Sequence, residues 1–264
     1  MLKLRGFFCL AALFTISIGF LSGISRHGVS ATNAPQPIPF SQNWTDVELI
    51  TVNDVWSGVP GIEGFLGQDL VTITGADPQT IVATSTIAAD LDVIANQALP
   101  NTLSSGGVAE FDGIPNPSIA LNGSGTADAP NIIIYLNTTG QSGINISYNL
   151  RDLDGSIDNS IQPVALQYRV GSTGDFTNIP AGFVPDASSG PSTATLVTPV
   201  SASLPTAADN QAQIQVRIIT ANAAGNDEWI GIDDISVTAG AGPAPTPTPT
   251  PTPTPGPVND TFVD

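Results

Sequence analysis

The stretch Gly143–Gly155, GINISYNLRDLDG, decides the fold. Apolar Ile144, Ile146, Tyr148 and Leu150 alternate with polar Asn145, Ser147, Asn149 and Arg151. Successive side chains of a strand point to opposite faces, so this period of two gives a β-strand with one buried and one wet face. Pro163–Gly171, PVALQYRVG, repeats the scheme, with Val164, Leu166, Tyr168 and Val170 inward and Gln167 and Arg169 outward. Ala212–Thr220, AQIQVRIIT, repeats it again, with Ile214, Val216 and Ile218 inward and Gln213, Gln215 and Arg217 outward.

Further strands are expected at DLVTITG near Leu70, PSIALNG near Ile119, NIIIYLN from Asn131 and ATLVTPVSASL from Ala194. Gly, Pro, Asn and Asp punctuate these runs, as in NGSG at Asn122, where glycine adopts angles that other residues resist. Many short alternating runs with turn signals between them predict an all-β domain over residues 40–240, a jelly-roll-like antiparallel β-sandwich. Residues 32–39 form an N-terminal extension to it. STIAADLDVIANQAL, from Ser85, is open to either helix or strand: its β-branched start favours strand, its length suits a helix, and Pro100 stops both.

The two ends read differently. Lys3 and Arg5, the apolar run Gly6–Ile24 and the small residues VSA ending at Ala31 have the pattern of a cleavable secretory signal over residues 1–31. Export to the bacterial cell surface or exterior is expected, with no membrane contact after cleavage; an uncleaved anchor is the alternative. At the other end GPAPTPTPTPTPTPGP, Gly242–Pro257, is a Pro-Thr linker that forms neither helix nor interior strand. As polyproline II it would extend on the order of 45 Å, at about 3.1 Å per residue. The tail at 258–264 is expected to begin a further domain or to end a tethered one.

Composition then limits the chemistry. Cys9 is the one cysteine and His27 the one histidine, and both lie in the signal segment. Cleavage leaves Arg151, Arg169 and Arg217 as the basic side chains, against 23 acidic residues. Such a chain repels nucleic acid, whose phosphates are bound by Lys and Arg that displace counterions. Ser-His-Asp and Cys-His catalysis lack their residues. Glycoside hydrolysis needs only two acids, and Asp112, Asp233 and Glu228 are available, but spacing in a β domain does not show that they converge.

The residues FSQNWTDVELITVNDVWSGVPGIEGFLGQDL from Phe40, VAEFDG from Val108, YNLRDLDGS from Tyr148, QPVALQYRVGSTGDFTNIPAGFV from Gln162 and QVRIITANAAGNDEWIGIDDISV from Gln215 carry a family resemblance. Together they resemble the N-terminal domain of large secreted bacterial proteins that often bear an endonuclease/exonuclease/phosphatase-type catalytic domain. The resemblance implies a jelly-roll sandwich with an accessory, non-catalytic role. GIDDISV is similar to the closing strand of lectin-like and carbohydrate-binding jelly rolls.

Three site expectations follow. If the strands bearing Arg151, Arg169 and Arg217 are neighbours, those arginines with Asn149, Gln167 and Gln215 form one platform for a glycan or an acidic cell-surface polymer. DLDGSIDN, Asp152–Asn159, makes Ca²⁺ the candidate ion, with Asp152, Asp154 and Asp158 as ligands, although the EF-hand positions fall on Leu150 and Ile161. Asp233 and Asp234 join that candidate set. In NDEWIGIDDISV the two pairs Ile230/Ile232 and Ile235/Val237 differ in parity, so the strand needs a β-bulge near Asp233–Asp234 or burial on both faces. The expected function is a non-catalytic extracellular binding module; the alternatives are the N-terminal piece of a secreted nuclease or phosphodiesterase, and a structural adhesin or stalk domain.

Overall fold

A computed structural model describes residues 33–154, 160–188 and 196–240. The signal segment, Asp158 and the Pro-Thr linker lie outside the described residues. Thirteen strands run along the described chain: β1 Gln36–Pro37, β2 Phe40–Gln42, β3 Ile62–Phe65, β4 Ile94–Gln97, β5 Gly107–Phe111, β6 Ser118–Asn122, β7 Asn131–Asn137, β8 Ile144–Asp152, β9 Ala165–Val170, β10 Thr177–Asn178, β11 Val197–Ser203, β12 Ile214–Ile219 and β13 Ile230–Ala239. Only short 3-10 turns interrupt them.

The three alternating runs become β8, β9 and β12. Successive long strands swap layers. Sheet A has the order β1-β7-β12-β9-β10, with β3 also on β7; sheet B has the order β11-β8-β13-β6-β5-β4, with β2 also on β13. The long pairs are antiparallel, and parallel pairs occur only at the rims, β1 with β7 and β4 with β5. The result is the expected jelly-roll-like sandwich.

The core lies between the sheets. Ile132, Ile134 and Leu136 of β7 and Ile214, Val216 and Ile218 of β12 meet Ile144, Ile146, Tyr148 and Leu150 of β8 and Ile230, Ile232, Ile235 and Val237 of β13. Removing one such branched aliphatic side chain to Ala costs about 2–5 kcal/mol, because transfer energy is lost and a cavity is left. Trp44 and Trp56 belong to this core, and their indole N–H groups donate to the carbonyls of Ile232 (2.8 Å) and Asp92 (3.0 Å). Gly64 makes room for one of them, since a Cβ there would lie 2.5 Å from the Trp56 ring.

β13 resolves the parity conflict by a bulge. Asp233 opposes Asn149 and Ser236 opposes Ser147, so one extra residue sits on β13. Asp234 takes it up in the left-handed region at φ 52°, a conformation that Asp tolerates better than most side chains. Ile235 and Val237 thereby return to the core. The bulge also changes partners: Ile230–Ile232 pair with β6, whereas Ile235–Val237 pair with β2.

One expectation is corrected, and one open reading falls to strand. DLVTITG forms no strand; it is a turn region with Ile73 exposed. STIAADLDVIANQAL forms no helix: only Ile94–Gln97 is regular, as β4. Its aspartates capture backbone donors of other segments, Asp90 from Gln68 N–H (2.9 Å) and Asp92 from Val108 N–H (2.6 Å), which holds the chain extended.

Candidate functional site

The arginines divide between the two outer faces. β9 and β12 are neighbours in sheet A, but β8 lies in sheet B, so the single three-arginine platform does not form. Arg151 and Asn149 sit beside the bulge. Arg151 donates from Nη1 to the Asn116 carbonyl (2.7 Å) and to Asp233 Oδ2 (3.3 Å), the one ion pair among the described residues. Asn149 donates to Asp234 Oδ2 (2.9 Å), and Asn116 donates to Asp233 Oδ2 (2.8 Å). Asp233 is buried on the outer side of sheet B, where desolvation raises its pKa against the opposing pull of Arg151. An arginine meets Asp233 outside the core.

Of the acids proposed for calcium, Asp158 lies outside the described residues and the described four do not form one group. Asp152 ends β8 opposite Ile230, Asp154 follows it, and Asp233 and Asp234 stand at the bulge. Among the described residues no group of three or more His, Cys, Asp or Glu is disposed to hold a metal ion.

Sheet A carries a different surface. Strand register sets Tyr135 of β7, Gln215 of β12 and Arg169 of β9 in one row across its outer face. The next row runs Glu63, Ile133, Arg217, Gln167 and Asn178. Two segments, 78–84 and 172–176, fold over this second row. Arg217 donates from Nε to Gln167 Oε1 (2.8 Å), from Nη1 to the Ala83 carbonyl (2.7 Å) and from Nη2 to the Ile81 carbonyl. Gln167 donates onward to the carbonyls of Pro78 and Ile81 and to Asn178 Oδ1. Gln167 and Arg217 are 0% and 1% exposed, which removes both from any open platform.

Phe176 fills the space between the guanidinium groups. Its ring centre is 4.0 Å from the Arg217 guanidinium carbon and 4.3 Å from that of Arg169, within cation–π range. Neither arginine has a carboxylate within ion-pair distance among the described residues. Desolvation, with the Arg169 charge adding to it, lowers Arg217 to about 9, so it stays charged at neutral pH.

The first row is also largely buried, at 7% for Tyr135, 3% for Gln215 and 8% for Arg169, but it borders a cleft of ≈ 600 Å³. Tyr135, Arg169 and Gln215 line it with Glu63, Phe65 and Gln213, and Asn33–Pro35 border it as well. Tyr135 donates its O–H to Glu63 Oε2 (2.9 Å); burial and that carboxylate both raise the phenol's pKa, so it stays protonated. Arg169 donates from Nε to Gln215 Oε1 and from Nη1 to Thr84 Oγ1 and the Gly174 carbonyl, each at 2.8 Å. Its Nη2 makes no hydrogen bond among the described residues. The cleft therefore presents two aromatic side chains, a fixed guanidinium donor, a carboxylate acceptor and amides that do both.

Of the sequence candidates, Arg169 and Gln215 line this cleft. Tyr135, Glu63 and Phe65 were not foreseen. Tyr135 lies in NIIIYLN, whose outward position Ile133 is as apolar as its inward ones, so no alternation marks the outer face. A second cleft of ≈ 500 Å³ lies among the loops at one end of the sandwich, lined by Asn101, Asn222, Asp154, Asp227 and Trp229. Asp227 accepts from Ala223 N–H (2.7 Å), and desolvation raises its pKa to about 6.

No protein-family model matches the chain, and no curated protein matches it. Among solved structures the chain is similar to CBM28, a non-crystalline cellulose specific carbohydrate-binding module, with TM-score 0.39 and 7% identity over 55% of this chain and 88% of that one. It is similar to TmCBM27, a carbohydrate-binding module with specific mannan recognition, with TM-score 0.30 and 9% identity over 49% and 78% of the two chains. It is also similar to the K3 adhesin domain of Lys-gingipain from Porphyromonas gingivalis, with TM-score 0.33 and 11% identity over 47% and 73%.

Proposed function

We propose that this chain is a non-catalytic glycan-binding module of the cell exterior, and that the cleft on the outer face of sheet A is its binding site. The observation that carries this is the row Tyr135–Gln215–Arg169 with Phe65 and Glu63 of the neighbouring β3 in one cleft. A sugar presents apolar C–H faces and a rim of hydroxyls that both donate and accept. Aromatic rings match the first, and a fixed set of guanidinium, amide and carboxylate groups matches the second. Packing by Phe176 and three hydrogen bonds hold Arg169 in place before any ligand arrives, which lowers the ordering cost of binding.

The absence of His, Lys and Cys from residues 32–264 supports a role in binding over nucleophilic or histidine-based catalysis. Residues 1–31 support export. The test is affinity electrophoresis of the exported chain through soluble polysaccharides, with Arg169→Ala, Phe65→Ala and Gln213→Ala beside it. Retardation by at least one glycan, weakened about tenfold by Arg169→Ala in a protein that melts normally, is expected, equivalent to about 1.4 kcal/mol. Retardation equal in all three variants would reject this site, and no retardation by any glycan would reject the function.

A further inference from the structure

The cleft does not end at Arg169. A neighbouring cleft of ≈ 320 Å³ is lined by Ala83, Ser85, Thr86, Thr173, Gly174 and Asp175, and it shares Thr84, Arg169 and Ser172 with the first. Both open to solvent, and the same side chains border the two. Arg169 joins them physically: its Nη1 ties Thr84 of one covering segment to Gly174 of the other. The unbonded Nη2 belongs to a side chain that is 8% exposed and lies at this junction.

We infer that the two clefts form one through-running groove, and that its ligand is an internal stretch of a linear, neutral polysaccharide centred on Arg169. This rests on the glycan-binding role proposed above and specifies it. A site for a chain terminus needs a wall at one end, whereas here the groove continues past its best-fixed donor. Charge selects among polymers. Asp175 stands in the second arm, on a chain of formal net charge −17, so a polyanion meets a carboxylate beside the guanidinium and net repulsion from the chain. A hydroxyl-rich neutral chain meets a donor at Arg169 and an acceptor at Asp175.

The length of the ligand tests the inference. Cello-oligosaccharides and manno-oligosaccharides of two to six sugars, with the reducing end free or reduced to the alditol, are titrated calorimetrically against the exported chain. Hydroxyethylcellulose, galactomannan, alginate and polygalacturonate are run beside them by affinity electrophoresis. Affinity rising about tenfold or more from disaccharide to hexasaccharide, indifferent to the state of the reducing end, is expected. Thr173→Trp, at an exposed position in the second arm alone, should cut hexasaccharide affinity by about as much and leave the disaccharide unchanged. Full affinity already at the disaccharide, or an unchanged hexasaccharide affinity in Thr173→Trp, overturns the groove. Preference for alginate or polygalacturonate overturns its neutral character. If no polymer or oligosaccharide binds, the glycan-binding role itself fails, a result distinct from either.

Discussion

The outer faces of the two sheets treat an arginine in opposite ways. On sheet B, Arg151 reaches Asp233 and the pair closes on itself with Asn116. On sheet A, Arg169 and Arg217 are held by carbonyls, amides and the Phe176 ring, with no carboxylate in ion-pair range among the described residues. A charge satisfied by its counter-charge is finished. One held by neutral groups keeps its field and remains able to bind something more. The difference separates an arginine that serves the fold from the one we propose serves a ligand.

The comparison can be broken at its strongest point. Arg217→Met leaves Gln167 Oε1 buried without its donor, takes the donor from the part-buried Ala83 carbonyl and leaves the Ile81 carbonyl with Gln167 alone. At about 1–3 kcal/mol for each unsatisfied group, discounted because such losses are not additive, chemical denaturation should show a loss on the order of 4 kcal/mol. A loss below about 1 kcal/mol would mean that the covering segment is loose and the sheet A face is not sealed. On sheet B the equivalent cut is Asp233→Ala, with an expected loss of about 1–3 kcal/mol. Asp233→Asn, which keeps an acceptor for Asn116 and Arg151, should recover most of it.

A further measurement separates the faces by protons. Desolvation raises Asp92 and Asp227 to about 6 and Glu110 to about 7, and all three lie on or beside sheet B. Below the unfolded values of 3.8 and 4.5 both states are protonated, and above the folded values both are ionised. Between them the folded chain holds protons that the unfolded chain has released, so stability falls as pH rises from about 4 to 7. The melting temperature should be higher at pH 4.5 than at pH 7.5. Hydrogen exchange should lose protection with rising pH in β4, β5 and β13 more than in β9 and β12. Equal loss in both sheets would erase the distinction.

The smallest effect lies between the faces. Tyr148 O–H is buried in the core without a hydrogen-bond partner among the described residues, and desolvation raises its pKa. Tyr148→Phe should be neutral or stabilising by up to about 1 kcal/mol, since it removes a buried polar group that gains nothing in return. A clear loss would show that the hydroxyl is solvated in the folded chain.

Strand faces were legible because a period of two is local. Ile144 to Leu150, Leu166 to Tyr168 and Ile214 to Ile218 point inward as their alternation requires. Even the bulge at Asp233–Asp234 followed from a parity conflict within one segment. Strand order is not local, which is why Arg151 was grouped with arginines that stand in the other sheet. The cover over Gln167 and Arg217 was hidden for the same reason, as Ile81 and Ala83 lie more than a hundred residues from Arg217. DLVTITG failed differently: its β-branched residues favour a strand, but Asp69 takes a positive φ and the run finds no partner strand.

The position of β13 has a kinetic consequence. It is an interior strand of sheet B, with β8 on one side and β6 and β2 sharing the other. It is also the last strand of the described chain, ending at Ala239, while β2 begins at Phe40. Until that final segment is available, β8 and β6 have nothing between them and β2 has no neighbour to join. Folding therefore waits on one of the longest loop closures that the domain permits, and pairings of such separation are slow. A growing chain would have to emerge through Ala239 before the domain could become native, and the ten residues of β13 would complete sheet B and cover the core together.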